Sequence, residues 1–435
     1  MTTRQTANRV QHAKVLLSAY ACRPDRGSEP GVGWNIAQEL VRHCAQVWVV
    51  TRAENRPMIT EALQQTPVPR LHFVYHDLPD WAVWRRQVRL HYYLWQTSVY
   101  FMARTLHQEV GFDLVQHVTY GRYCVPSSLA FLPVPFIWGP VGGAEAAPRA
   151  FREDFGLAGK LFEMLRDLSC WIGERDPLVR LTAARSALAL AVTDETAARL
   201  QALKVRRVAT TLSSNGIHTH ELAQFQQLTA PAQNRPVRFI STGRLLHWKG
   251  FHLGLRAFAQ AQLPAGEFWM VGDGPERKRL EALAAALGIA KQVKFLGALT
   301  REQALAALGA CDVLVHPSLH DFSPAVCLEA MAAGRPVICL DIGGAANQIT
   351  PETGIKVAAQ TPEQTVQDMV AAMVRLERDP GLRRRMGQAG QQRVQEFFRW
   401  ENKGRDLVCF YQEVLSAAGA NSLGGEADRR KRLPH

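Results

Sequence analysis

The chain has 435 residues, 47% hydrophobic and 21% charged, a composition with real cores and room for two or three domains. Disordered, collagen-like and disulfide-scaffold classes are excluded. Lys and Arg total 51 against 39 Asp and Glu, a formal charge of +12 that suits an anionic small molecule, nucleic acid or an anionic membrane surface without choosing among them.

In chain order, residues 1–13 carry Arg4 and Arg9 but no apolar run follows, so a flexible N-terminus is expected rather than a cleaved signal peptide. From Lys14 onward, short β-branched runs alternate with longer helical patterns. Residues 15–18, 47–51, 71–75, 114–118, 136–138 and 188–192 read as buried strands of a first domain over 14–216. A polar stretch at 224–235 marks a linker, 217–236. A second series, 238–242, 268–271, 293–296, 313–316, 337–340 and 355–357, belongs to a domain over 237–399. Strands separated by helices imply right-handed crossovers and parallel sheets, so the fold class is α/β with two doubly wound domains. Only helices follow, at 362–376, 382–397 and 400–417. The tail 418–435, with Arg429-Arg430-Lys431-Arg432, is polar and expected to be disordered.

Residues 123–144 lack Asp, Glu, Lys and Arg and have the length of a membrane span, but Pro126, Pro133, Pro135 and Pro140 would leave carbonyls unpaired in lipid. No transmembrane helix is expected. Eight cysteines (Cys22, Cys44, Cys124, Cys170, Cys311, Cys327, Cys339, Cys409) form no C-x-x-C pair and no Cys/His cluster at zinc spacing. They read as buried thiols of a reduced, cytoplasmic chain without a metal centre.

Three segments could carry chemistry. Gly27-Ser28-Glu29-Pro30-Gly31-Val32-Gly33-Trp34 follows the first strand, and its glycines would let backbone amides approach a phosphate at a helix N-terminus. It is not G-x-G-x-x-G and no acid ends the second strand, which disfavours a dinucleotide cofactor; the alternative reading is a mere strand-to-helix turn. Gly243-Arg244-Leu245-Leu246-His247-Trp248-Lys249-Gly250 follows the first strand of the second domain, where two cations can converge on a diphosphate. Alone, it is a solvated basic loop. In His320-Asp321-Phe322-Ser323-Pro324-Ala325-Val326-Cys327-Leu328-Glu329, Ser323 fits an N-cap and Pro324 the first helical position, for a helix ending before Gly334. Glu329 then lies inside that helix, able to accept hydrogen bonds from vicinal hydroxyls, or simply solvated.

In these segments, and in Val271-Gly272-Asp273-Gly274-Pro275, Val293-Lys294-Phe295-Leu296-Gly297 and Glu329 through Pro336, the sequence resembles family 4 of the retaining glycosyltransferases over roughly residues 14–417. The resemblance implies a GT-B fold, two Rossmann-like domains facing across a cleft with the 400–417 helix returning to the first. It implies that Arg244 and Lys249 bind the donor diphosphate, that Glu329 holds the ribose and that Asp321 lies near the donor sugar. Gly31 and Gly33 would face the phosphate, and His117 the transferred sugar. Phe295 and Leu296 would flank the base, and Ser323, Ala325 and Val326 would present the helix start to the donor. His117, Arg244, Lys249 and Asp321 form the implied catalytic set.

The sequence departs from the family pattern in three places. Asp321 stands for the more usual Glu, Phe322-Ser323-Pro324 stands where Gly-Phe-Gly is typical, and Ala345-Ala346-Asn347 follows Gly343-Gly344. The implied activity is transfer of a sugar from a UDP- or GDP-sugar to an acceptor hydroxyl, in polysaccharide or glycolipid synthesis. No cofactor and no metal are expected, since no Asp-x-Asp occurs. The expected partners are the donor and a glycan or lipid-linked acceptor, with no nucleic acid. A same-fold epimerase and a basic nucleic-acid-binding protein are the rivals. The 81–104 stretch, mixing Trp81, Trp84 and Trp95 with Arg85, Arg86, Arg89 and Arg104, suits an anionic membrane surface, and equally a helix whose aromatics enter the core. The location is then cytoplasmic, with peripheral attachment at the inner face of the plasma membrane.

Overall fold

The computed structural model describes residues 9–24, 26–78, 88–228 and 235–431. The chain divides into two compact units, one formed by residues 1–144, 169–214 and 400–435, the other by 145–168 and 215–399.

The first unit is built on seven parallel strands, β1 (Lys14–Ser18), β2 (Gln46–Thr51), β3 (Leu71–Tyr75), β4 (Leu114–His117), β5 (Phe136–Val141), β6 (Ser186–Ala191) and β7 (Val208–Thr210), in the order β3-β2-β1-β4-β5-β6-β7. Such strands are covered on both faces and read as continuous apolar runs, which is why β4 and β5 are buried along their whole lengths. One core, with Val15, Leu17, Ile36 and Leu40, lies on one face; another, with Leu16, Trp95, Phe136 and Trp138, on the other.

The second unit repeats the scheme with β8 (Arg238–Thr242), β9 (Glu267–Val271), β10 (Val293–Gly297), β11 (Val313–His316), β12 (Val337–Leu340) and β13 (Gly354–Val357), ordered β10-β9-β8-β11-β12-β13. In this strand order the direction of winding reverses between β8 and β11, and the crevice for a ligand opens at the carboxyl ends of those two strands.

Three expectations change, and a fourth stretch is placed in part. Residues 217–236 are not simply a linker: the Thr219–Gln227 helix buries Leu222 and Phe225 in the second unit's core. The C-terminal helix runs from Trp400 to Lys431, so residues 418–431 continue a helix where disorder was expected. Trp400, Leu407, Tyr411 and Val414 pack into the first unit's core, and the Tyr411 hydroxyl donates to Gln116 Oε1. Of the eight cysteines, Cys409 is exposed and the others are buried. In the 81–104 stretch, Trp81, Trp84, Arg85 and Arg86 lie outside the described residues, while Tyr92, Trp95 and Val99 face the core and Phe101 is exposed.

Candidate functional site

At the switch point of the second unit, glycines let three backbone segments press together. Gly250, at φ +66°, lies where a Cβ would come within 1.9 Å of Pro317 O, and a Cβ on Gly272 would come within 2.0 Å of Gly243 O. No side chain fits either place. The loops after β8 and β11 are further joined by Leu319 N donating to Trp248 O at 2.8 Å.

This packing brings Lys249 and Asp321 together. Lys249 closes the 3-10 turn His247–Lys249, and its Nζ donates to Asp321 Oδ2. His316, at the end of β11, places Nε2 at 3.7 Å from the same oxygen. Burial pushes the Asp321 carboxyl up, but Lys249, with His316 and His320, more than offsets it and holds the group below its ordinary range. The result is an ionised acid paired with a cation at the mouth of the sheet. Arg244 is exposed on the same loop as Lys249.

The Ala325–Ala332 helix begins beside this pair. It starts one residue later than the sequence suggests, and Ser323 is not its N-cap. Asn215 explains why: its backbone N and Nδ2 donate to Ser323 Oγ, and Nδ2 also donates to Ser323 O at 2.7 Å. The hydroxyl is engaged elsewhere, and Pro324 takes the cap position with no side-chain hydrogen bond. The helix start therefore keeps the amides of Ala325 and Val326 as anion donors. Glu329 is not a bare surface charge, since Arg301 bridges it at 2.7 Å and Glu221 at 2.9 Å. A ribose at Glu329 would share that carboxylate with the guanidinium. Phe295 and Leu296 lie on the edge strand β10, where Leu296 is exposed.

Two expectations in the first unit meet a different geometry. Gly31 and Gly33 lie within a helix, Ser28–Leu40, rather than in a loop. A Cβ on Gly33 would approach Ala21 O to 2.4 Å, and one on Gly31 would approach Arg26 O to 2.5 Å, so both are required by close backbone packing. His117 is 1% exposed, with Nε2 at 3.0 Å from the Tyr92 hydroxyl and Nδ1 at 3.1 Å from Ser127 Oγ. The resemblance implies a sugar-facing imidazole; both nitrogens of this one are occupied inside the unit.

The sequence did not point to Glu163. It lies on the Leu157–Gly173 helix, 1% exposed, with Oε1 at 3.1 Å from His247 Nε2 and 3.0 Å from His320 Nε2. Its neighbour Phe162 stacks on Trp248 at 5.0 Å, and Trp248 stacks on His320 at 5.1 Å. The helical period hides Glu163. Gly159, Glu163, Arg166, Cys170 and Gly173 form the buried face, while Leu157, Leu161, Met164, Leu165, Leu168, Trp171 and Ile172 are exposed. Such a helix is inverted relative to an ordinary amphipathic one.

The chain resembles known proteins in sequence and in fold. Residues 225–393 match the family described as "Glycosyl transferases group 1". The chain is 31% identical over 176 residues to the 2-deoxystreptamine glucosyltransferase of Streptomyces kanamyceticus, covering 40% of this chain and 44% of that one. It is 33% identical over 159 residues to a lipopolysaccharide core biosynthesis glycosyltransferase of Rhizobium meliloti (strain 1021), covering 37% and 44%. The chain thus spans under half the length of these curated relatives. Their names leave the epimerase alternative without support. In three dimensions it resembles sucrose-phosphate synthase from Thermosynechococcus elongatus (TM-score 0.65, 18% identity, 93% of this chain and 100% of that one). It also resembles an Anabaena protein solved with UDP (TM-score 0.59, 16% identity, 92% and 100%). The fold is GT-B, and residues 225–393, which hold Lys249, Asp321 and Glu329, are those that match the group 1 glycosyl transferases.

Proposed function

We propose that this chain is a retaining glycosyltransferase that moves a sugar from a UDP- or GDP-sugar to an acceptor hydroxyl, in polysaccharide or glycolipid synthesis. The observation that carries the reading is the Lys249–Asp321 pair at the β8/β11 switch point, beside the N-terminal amides of the Ala325–Ala332 helix. The lipopolysaccharide relative supports the acceptor class and the UDP-bound neighbour the donor class.

The chemistry follows from the charges. Lys249, Arg244 and the amides of Ala325 and Val326 take up the negative charge that grows on the departing diphosphate; one preorganised donor of this kind is worth roughly 3–4 kcal/mol in the barrier. The bond from the anomeric carbon to the diphosphate oxygen breaks, and its electron pair stays on that oxygen. The acceptor hydroxyl attacks from the face being vacated and passes its proton to the departing oxygen, so the anomeric configuration is kept. Asp321, held ionised, fixes the Lys249 ammonium. With cations built into the chain, the reaction proceeds without a divalent metal, and no nucleic acid takes part.

No described helix is long and apolar enough to cross a membrane. Peripheral attachment at the inner face of the plasma membrane, the location this reading implies, rests better on the outer face of the Leu157–Gly173 helix than on the 81–104 stretch. Leu157 is 88% exposed, and the exposed Lys160 supplies a cation for an anionic surface. Flotation with anionic vesicles should recover the wild type and lose a Leu161→Glu/Leu165→Glu variant; equal recovery of both would end this assignment.

The test of the transferase reading is a thermal-shift screen with UDP, GDP, ADP and their sugars, followed by assay of nucleotide release. A ligand at ~100 times its Kd adds about 2.7 kcal/mol to native stability. Stabilisation by UDP or GDP and acceptor-dependent release are expected. No shift with any nucleotide and no release would overturn the reading.

A further inference from the structure

The buried face of the Leu157–Gly173 helix is polar where a helix ordinarily buries hydrocarbon, and its central group is a carboxylate. One oxygen, Glu163 Oε1, accepts from two imidazoles, His247 Nε2 and His320 Nε2, so both rings carry their proton on Nε2. The other oxygen, Oε2, is buried without a hydrogen-bond partner among the described residues. A carboxylate in such a place is costly unless cations or N–H donors compensate it. Burial alone would push the Glu163 carboxyl up; the two imidazoles and Arg166 overcome this and hold it far below the ordinary range. The group therefore stays charged at neutral pH.

The positions of the two donors are informative. His247 opens the turn that ends in Lys249, and His320 immediately precedes Asp321. The rings are also wedged by Phe162, Trp248 and Phe155, the last at 4.8 Å from His247 edge to face, and a Cβ on Gly159 would lie 3.0 Å from His247 Cγ. The helix thus grips the two loops at the residues flanking the ion pair and has no direct hydrogen bond to Lys249 or Asp321 among the described residues.

We infer that Glu163 is a positioning residue for the transfer reaction: by holding His247 and His320 on one oxygen, it fixes the turn of Lys249 against the loop of Asp321 and so places the ammonium that meets the donor diphosphate. This rests on the transferase reading above. A carboxylate does this better than a neutral acceptor, because charge-assisted hydrogen bonds from both rings are shorter and stronger. Misplacement of a leaving-group cation by a fraction of an ångström affects the transition state more than the bound donor.

The experiment is a double-mutant cycle between Glu163→Gln and Lys249→Ala, read as kcat and donor KM with the nucleotide sugar that the wild type uses. Glu163→Gln is expected to lower kcat roughly 10-fold with donor KM within about threefold of wild type. In the Lys249→Ala background the same change is expected to add less than about twofold, since a residue that acts through Lys249 has nothing left to position. Glu163→Asp, which keeps the charge but is too short to reach both rings, is expected to fall with Glu163→Gln and keeps the test open if one variant folds poorly. Wild-type kcat in a folded Glu163→Gln, or the full 10-fold loss repeated on top of Lys249→Ala, would overturn the inference while leaving the transferase reading intact. A wild type that turns over no nucleotide sugar would overturn that reading, and the positioning role with it.

Discussion

Two histidines occupy the same place in two sheets. His117 ends β4 and His316 ends β11, and each strand lies beside the first strand of its own sheet. Burial pushes both rings down to about 4. There the likeness ends. His117 is tied at both nitrogens, to Tyr92 and Ser127, whereas His316 Nε2 is buried with no hydrogen-bond partner among the described residues and lies near Asp321 and Lys249. Backbone topology supplies the same strand end twice; one unit uses it to close a core, the other leaves a polar atom facing charge. The same fold position thus carries two different electrostatic environments.

The strongest way to break this contrast is at the charged end. Lys249→Ala should lower turnover about 100- to 1000-fold while leaving the Tm within a few degrees, and Arg244→Ala about 100-fold. Steady-state kinetics beside a thermal melt decides it; wild-type rates in both folded variants would remove the site from the second unit.

Acid tests both rings together. Each is neutral in the folded chain and returns to an ordinary value near 6.5 on unfolding, so between about pH 6.5 and 4 the unfolded chain binds more protons and stability falls as pH falls. At pH 5 each histidine should cost roughly 2 kcal/mol. Asp321 is depressed, and the stability it contributes is lost only as pH falls below the ordinary carboxylate range. Urea midpoints measured at pH 7, 6 and 5 should decline; a flat profile would mean that neither ring is held neutral by burial.

His117→Ala sharpens the comparison from the other side. It should cost roughly 2 kcal/mol in urea unfolding, through a lost hydrogen bond and a small cavity, with turnover of the folded enzyme within about threefold of wild type. A 100-fold loss of turnover at unchanged stability would instead place this ring at the substrate. The smallest effect is expected at Glu329→Ala, which should weaken nucleotide binding about 10-fold by titration calorimetry. Unchanged affinity would leave Glu329 only its bridge to Arg301.

Twelve of the strands were legible because parallel strands buried on two faces are unbroken apolar runs. The short β7, Val208–Thr210, follows Arg206 and Arg207 and is half exposed, so it carries no such signal. Gly250 and Gly272 were legible as motif residues, and the structure supplies their reason in Pro317 O and Gly243 O. Glu163 was not legible. Its partners lie 84 and 157 residues away, and its helix buries polar groups and exposes leucines, which reverses the pattern from which burial is read. The Ser323 cap failed for a similar reason: Asn215, 108 residues distant, claims its hydroxyl.

The central claim is that cations of the chain itself stabilise the leaving diphosphate during transfer with retention. It is tested most directly by incubating the protein with an α-linked UDP- or GDP-sugar and acceptor in excess EDTA, and following the anomeric coupling of the first-formed product by proton NMR. The account predicts an α-linked product at an undiminished rate. A β-linked product, or activity abolished by EDTA and restored by manganese, would contradict it.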